Sequence, residues 1–282
     1  MNNGEVVLIT GASTGFGRLI AETLARRGYR VFATMREVNG RNAAAAAEIR
    51  AMAVRKGLAA EVIEIDVTDE GSVERAVDEV IATCGRIDVV VNNAGFGIVD
   101  LAETVTLAQA QRQFDTNFFG VLRMNRAVLP SMRRQGKGLL LHISSGAGRL
   151  AIPAMGLYCA SKFAMEALAE VYRYELAPLG IDSVVIEPGA YPTPIMAKLN
   201  GGEDPARKAA HGDIASDFRR SLRVGNVDTD ASPALGSRFG IRSIPTIALF
   251  KAGAEIARRS GALPKSAVLA WLGNHGIVHD AG

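Results

Sequence analysis

Between Val6 and Glu187, short apolar runs rich in β-branched residues alternate with longer segments whose apolar positions recur every three or four residues. The first pattern predicts buried strands and the second predicts helices with one apolar face. Val6–Thr10, Tyr29–Thr34, Glu61–Asp66, Ile87–Asn92, Leu139–Ile143 and Ser183–Glu187 read as strands. Helices are expected at about Gly17–Arg27, Arg41–Lys56, Ser72–Thr83, Leu107–Arg134 and Leu157–Leu176, the last stopped by Pro178 and Gly180. Strands alternating with helices imply an α/β fold, a doubly wound parallel sheet covered on both faces. Right-handed crossovers then gather the C-terminal strand ends on one edge, where ligands bind.

After Glu187 this rhythm breaks. Residues 190–221 hold Pro192, Pro194, Gly201, Gly202, Pro205 and Gly212 among weak helical periodicity. A second rhythm starts at Leu222: strand Leu222–Val227, helix Pro233–Phe239, strands Thr246–Phe250 and Glu255–Arg259, and helix Lys265–Leu272. Charge divides at nearly the same place. Of 32 Lys+Arg and 29 Asp+Glu, residues 1–200 hold 21 and 21, leaving 11 and 8 for residues 201–282, so the net +3 belongs wholly to the last part. Its basic residues are scattered and aromatics are few, which argues against nucleic acid as a partner. The asymmetry instead suggests two pieces of chain of different origin.

With 48% hydrophobic and 22% charged residues, the chain can bury a large core. Two cysteines, Cys84 and Cys159, build neither a disulfide scaffold nor a four-ligand zinc site. His142, His211, His275 and His279 form no recognisable metal set. No apolar run reaches the roughly 18 residues of a membrane span, and the first residues do not read as a secretory signal. The expectation is a cytoplasmic protein with no metal and no membrane partner.

Candidate chemistry begins at Thr10-Gly11-Ala12-Ser13-Thr14-Gly15-Phe16-Gly17, between the first strand and first helix. Gly11 suits a tight turn, Gly15 a close backbone approach to a pyrophosphate, and Gly17 close packing of helix on strand, with free N–H groups at the helix start. Further along stand Asp66-Val67, Asn92-Asn93-Ala94-Gly95, Asn117, Ser145, Tyr158-Cys159-Ala160-Ser161-Lys162, and Pro188-Gly189 with Thr193. Tyr158 and Lys162 are four apart and share a helix face. A phenol has a pKa near 10, and a neighbouring ammonium favours its ionised form, so the pair is equipped for proton transfer at neutral pH.

In order and spacing, these motifs over about residues 5–200 resemble the short-chain dehydrogenase/reductase family. The resemblance implies a Rossmann sheet and hydride transfer between a nicotinamide cofactor and a carbonyl or secondary alcohol. It casts Tyr158 as acid/base, Ser145 as holder of the substrate oxygen, Lys162 as holder of the nicotinamide ribose, and Asn117 as anchor of a relay water. It places the cofactor against Gly11, Ser13, Thr14, Gly15, Phe16, Gly17, Asp66, Val67, Asn93, Ala94, Gly95, Tyr158, Lys162, Pro188, Gly189 and Thr193. It also implies a homo-oligomer built on the helices at 107–134 and 157–176. At the end of the second strand Met35 takes the place of a ribose-binding acid and Arg36 follows. A guanidinium suits a 2′-phosphate, so NADP is favoured over NAD, a solvated surface arginine being the alternative. Phe96, Leu150, Ile152, Met155 and Tyr191, in the segments that would face substrate, suggest a small hydrophobic molecule.

From about Leu222 to Gly276 the chain resembles the second half of thioredoxin, with Ile244-Pro245-Thr246 at that family's cis-proline segment. No CxxC is present, so thiol–disulfide exchange is disfavoured. The expected organisation is a dehydrogenase domain at 1–200, a lid or linker at 201–221, and a partial thioredoxin-like segment at 222–282. No seventh strand of the dehydrogenase sheet is recognisable, and Thr246–Phe250 is the expected substitute at the sheet edge. A fusion or binding protein that keeps the cofactor fold but has weak activity is the competing reading.

Overall fold

The computed structural model describes residues 4–189, 199–212, 214, 246–251, 254–260 and 274. Six strands form one parallel sheet: β1 (Val6–Ile9), β2 (Arg30–Met35), β3 (Ala60–Glu64), β4 (Val89–Asn92), β5 (Gly138–Ile143) and β6 (Ile181–Ile186), in spatial order β3-β2-β1-β4-β5-β6. The helices between them are α1 (Gly15–Arg26), α2 (Ala43–Lys56), α3 (Glu70–Cys84), α4 (Leu107–Phe114), α5 (Gly120–Gln135) and α6 (Gly156–Leu176). The expected doubly wound α/β sheet is present, with element ends within a few residues of the sequence reading.

Side chains of β1 divide between two cores. Val6 and Leu8 pack with Phe32, Val73, Val77, Met124 and Leu140, while Val7 and Ile9 pack with Ala21, Ala25, Ala46 and Ile49. That is the period-two alternation of a strand covered on both faces, and it explains why β1 reads as an unbroken apolar run. Leu8 and Ile9 are fully buried, each worth about 1.5–3 kcal/mol in area removed from water. The strand order reverses between β1 and β4, which pair as Ile9↔Val91. This switch point opens a crevice at the C-terminal strand ends, next to Gly11 and Asn93.

The expected helix over 107–134 is present as a continuous run with one irregularity. α4 passes into a π-helical turn, Asp115–Phe119, and then into α5. Such a turn takes up one extra residue and so steps the apolar repeat by one position. Residues 199–211, including the short helix α7 (Pro205–His211), fasten to the stretch after β4. Val99 N donates to Asn200 O at 2.8 Å, Gly202 N to Asp100 Oδ2 at 3.0 Å, and Gln109 Nε2 to Gly201 O at 2.9 Å.

Contacts divide the chain into Met1–Ala215 and Ser216–Gly282. In the second unit, β7 (Thr246–Lys251) pairs antiparallel with β8 (Ala254–Ser260) as a two-stranded sheet with an irregularity between Leu249 and Phe250. The expectation that Thr246–Phe250 completes the large sheet is therefore corrected: among the described residues that sheet ends at β6. A partner strand two residues away satisfies the backbone ladder at a much smaller loop-closure cost than a distant edge. The expected elements at 222–227, 233–239 and 265–272, and Pro245, lie outside the described residues.

His142, in the middle of β5, is fully buried, and burial, reinforced by the Lys162 charge, lowers its pKa to about 4. The unfolded chain takes up this proton near pH 6.5, the folded chain only near 4. The neutral ring thus contributes its full stability above about pH 6.5 and loses it as pH falls toward 4. Urea unfolding of the parent and of His142→Gln at pH 7 and pH 4.5 checks this. The parent should lose about 2–3 kcal/mol more between the two pH values than the variant.

Candidate active site

The turn after β1 is built by close backbone contact. Gly11 has φ +66°, and a Cβ there would come within 2.8 Å of Ala94 Cα. A Cβ on Gly17 would lie 2.6 Å from Gly11 O, so the first turn of α1 fits against this loop only without a side chain. Asn93 ties the two strand ends together: its Nδ2 donates to Thr10 O at 2.8 Å and to Gly11 O at 3.1 Å. Thr10 Oγ1 accepts from Asn93 N at 2.9 Å and Ala94 N at 3.0 Å, a role for Thr10 that its place in the motif hints at and that sequence reasoning passed over. The first turn of α1 carries no acidic residue, so its partial positive charge faces the crevice uncancelled. Thr14 is the N-cap and Ser13, Gly15 and Phe16 flank it, all on the crevice side of the switch point. The loop thus fits a dinucleotide pyrophosphate.

The far end of the crevice holds the expected polar groups. β3 stops at Glu64, and Asp66 follows it in a turn, accepting from Thr68 N at 2.9 Å and Thr68 Oγ1 at 2.7 Å. Val67, expected at the cofactor, turns its side chain into the core against Gly120. Met35 is buried, so Arg36 is the first side chain to emerge beyond β2. Arg36 is half-exposed, 3.9 Å from Asp66 Oδ2 and 4.0 Å from Glu37 Oε1.

Tyr158 and Lys162 lie on the buried face of α6. The Ser145 hydroxyl lies near that of Tyr158; burial raises the phenol pKa and Ser145 opposes the rise. Lys162 Nζ donates to Ile143 O at 2.9 Å and lies 6.0 Å from the Tyr158 ring centre. Burial lowers its pKa to about 8, with Glu166 acting in the opposite direction. Ser145 follows the end of β5 by two residues and accepts from Ala147 N at 3.2 Å.

Asn117 sits in the π-helical turn, where its amide is spent on protein groups. Its Oδ1 accepts from Phe96 N at 3.1 Å, and its Nδ2 donates to Phe96 O and to Ser161 Oγ, both at 3.0 Å. It pins the loop after Gly95 to α6. A Cβ on Gly95 would come 3.2 Å from Asn117 Oδ1 and 3.8 Å from Lys162 Nζ, so the three converge. Pro188 O accepts from Gly146 N at 3.0 Å, which joins the Pro188-Gly189 strand end to the serine loop. Thr193 and Tyr191 lie outside the described residues.

On the substrate side, Ile152 and Met155 pack with Tyr158 and Cys159, and Leu150 is partly exposed. Gly97 lies between Leu199 and the Tyr158 ring: a Cβ there would sit 2.9 Å from Leu199 Cδ2 and 3.5 Å from Tyr158 Cδ2. Gly97 and Leu199 were not singled out from the sequence, because only the fold brings residue 199 back to the loop after β4.

Comparison with known proteins agrees with this geometry. A 3-ketodihydrosphingosine reductase of Bacteroides thetaiotaomicron is 37% identical over 220 residues, 78% of this chain and 75% of that protein. Human 17-beta-hydroxysteroid dehydrogenase type 1 is 39% identical over 204 residues, 71% of this chain and 60% of that protein. Among solved structures, a 3-ketoacyl-(acyl-carrier-protein) reductase from Brucella melitensis complexed with NADH has 30% identity and a TM-score of 0.63, covering 75% of this chain and 91% of that one. A gluconate 5-dehydrogenase from Burkholderia cenocepacia in complex with NADP and tartrate has 28% identity and a TM-score of 0.65, covering 83% and 88%. Residues 208–274 match the thioredoxin family model. Residues 5–204, which carry the whole crevice described above, match the short chain dehydrogenase model, and the chain belongs to that oxidoreductase family.

Proposed function

We propose that this protein is an NADP-dependent reductase of a small hydrophobic carbonyl compound, with Tyr158 as the proton donor. The observation that carries the reading is the burial of Tyr158 beside Ser145, with Lys162 buried one helical turn along. When bound, the dinucleotide supplies the hydride. Ser145 and Tyr158 would hold the carbonyl oxygen between their hydroxyls, and Tyr158 would give it a proton as charge develops there. Burial raises the phenol pKa, so at neutral pH Tyr158 carries the proton that a carbonyl oxygen would receive. The Lys162 ammonium, charged at neutral pH, offsets the negative charge left on the phenolate. Two of its three donor positions remain after the bond to Ile143 O, enough to hold a ribose hydroxyl.

Arg36 supports NADP over NAD because Met35 is turned into the core and a guanidinium stands at the ribose end of the crevice. Apolar Ile152, Met155 and Leu199 near Tyr158 support a hydrophobic substrate. The two relatives are named for a 3-keto compound and a 17-beta-hydroxysteroid, each a carbonyl–alcohol pair. Exposed Leu107 and Phe119 around the π-helical turn, with Phe163, Val171 and Tyr174 on α6, support a homo-oligomer built on these helices. The competing reading, a cofactor-binding protein with weak activity, draws on the exposure of Val184 and Ile186 on the last strand of the sheet.

NADPH oxidation against a panel of ketones and aldehydes separates the two. Tyr158→Phe should lose about two or more orders of magnitude in kcat while binding NADPH as the parent does. NADPH binding by the parent with no turnover of any carbonyl would favour the competing reading. For cofactor choice, Arg36→Asp should weaken NADPH binding about tenfold or more and leave NADH binding unharmed or improved. Unchanged NADPH affinity in that variant would refute the NADP assignment.

A further inference from the structure

Behind the reacting groups lies a charged cluster that the proposed chemistry does not use. Glu166 is one turn beyond Lys162 and two beyond Tyr158 on α6, and it is 5% exposed. Ser144 Oγ donates to Glu166 Oε1, and Arg149 Nε lies 2.9 Å from Glu166 Oε2. Arg149 Nε also bonds Glu187 Oε1 at 2.8 Å, at the end of β6 just before Pro188-Gly189. Between them, Gly148 admits no side chain, since a Cβ would overlap Glu166 Oε1 and Ser144 Oγ. The turn 144–149, which presents Ser145, is thus clasped at both ends: by Ser144 to a buried carboxylate, and by Arg149 to that carboxylate and to the neighbouring strand end.

We propose that Glu166, braced by Arg149 and Glu187, is a positioning residue for this centre: it fixes the turn that presents Ser145 and sets a buried negative charge one helical turn from the Lys162 ammonium. The inference rests on the reading of Ser145, Tyr158 and Lys162 as the reacting group. The titratable groups that face Lys162 are Tyr158 and Glu166 from its own helix and His142, neutral at neutral pH, from β5. Those that face Glu166 are Lys162, Arg149 from the turn and Glu187 from the end of β6. Removing the Glu166 charge takes away the attraction that opposes desolvation of the ammonium, so Lys162 loses its proton at lower pH. In the reduction direction, turnover then falls off at lower pH.

The test compares the parent with Glu166→Gln, which keeps the shape and loses the charge, and with Ser144→Ala, which loses the anchor and keeps the charge. For a carbonyl that the parent reduces, Glu166→Gln should lower kcat about tenfold or more, leave NADPH affinity within about twofold, and move the alkaline limb of the pH profile down. Ser144→Ala should lower kcat without moving that limb. A second readout needs no substrate: the Lys162 13Cε shift, assigned with Lys162→Met, titrates near pH 8 in the parent and should titrate lower in Glu166→Gln. An unmoved Lys162 midpoint in Glu166→Gln, or kcat unchanged in Ser144→Ala, overturns the proposal. If the midpoint moves as expected and the parent reduces no carbonyl, the charge coupling of Glu166 to Lys162 stands, while the reductase reading and the positioning role that rests on it fall.

Discussion

The ammonium of Lys162 is buried to 6% exposure at the C-terminal edge of a parallel sheet, and a buried charge is tolerated only with partners around it. Its partners come from separate parts of the chain. The carbonyl of Ile143 fixes it to the end of β5, the Tyr158 ring lies beside it on the same helix, and Glu166 one turn on opposes its desolvation. Each partner is held in turn: Tyr158 packs with Cys159 and Ala147 beside Ser145, Ser144 and Arg149 hold Glu166, and Ser161 links α6 to Asn117 and the loop after β4. Burying the lysine therefore organises α6, the end of β5 and the π-helical turn into one assembly.

The switch point supplies the complementary half of the crevice. Gly11, Gly17 and Asn93 join β1, α1 and β4 by contacts that leave no room for a side chain, which brings an uncancelled helix N-terminus beside the strand ends. A dinucleotide laid along this edge would reach from Arg36 and Asp66 at one end to Lys162 and Tyr158 at the other. On the proposed function, anion binding at one end and proton transfer at the other would follow from two constraints: close backbone packing and a partnered buried charge.

What was legible in the sequence is what short-range chemistry encodes. Gly11, Gly17, Asn93, Tyr158 and Lys162 each answer to a local turn, a close approach or an i,i+4 spacing, and the doubly wound parallel sheet follows from alternating β and α segments. The π-helical turn at Asn117 was illegible because a single-residue step in the apolar repeat is lost in the scatter of apolar positions along α4 and α5. Glu166 is not singled out in the sequence; its i+4 spacing from Lys162 is the available signal, and only the burial of both gives it meaning. Asp100 and Gln109 hold residues 201–203 through single polar contacts across about a hundred residues, which no periodicity reports. Thr246–Phe250 reads as a strand, but its partner is β8 and not the large sheet, because strand propensity says nothing of where a ladder closes.

The centre's dependence on the buried lysine is open to one direct measurement: stopped-flow hydride transfer from NADPH in the parent and in Lys162→Met, at pH 7, on a carbonyl the parent reduces. Methionine fills similar volume without charge, so the fold should persist by circular dichroism. The account requires hydride transfer to fall by about two or more orders of magnitude. A Lys162→Met protein that folds and transfers hydride within about tenfold of the parent would contradict it.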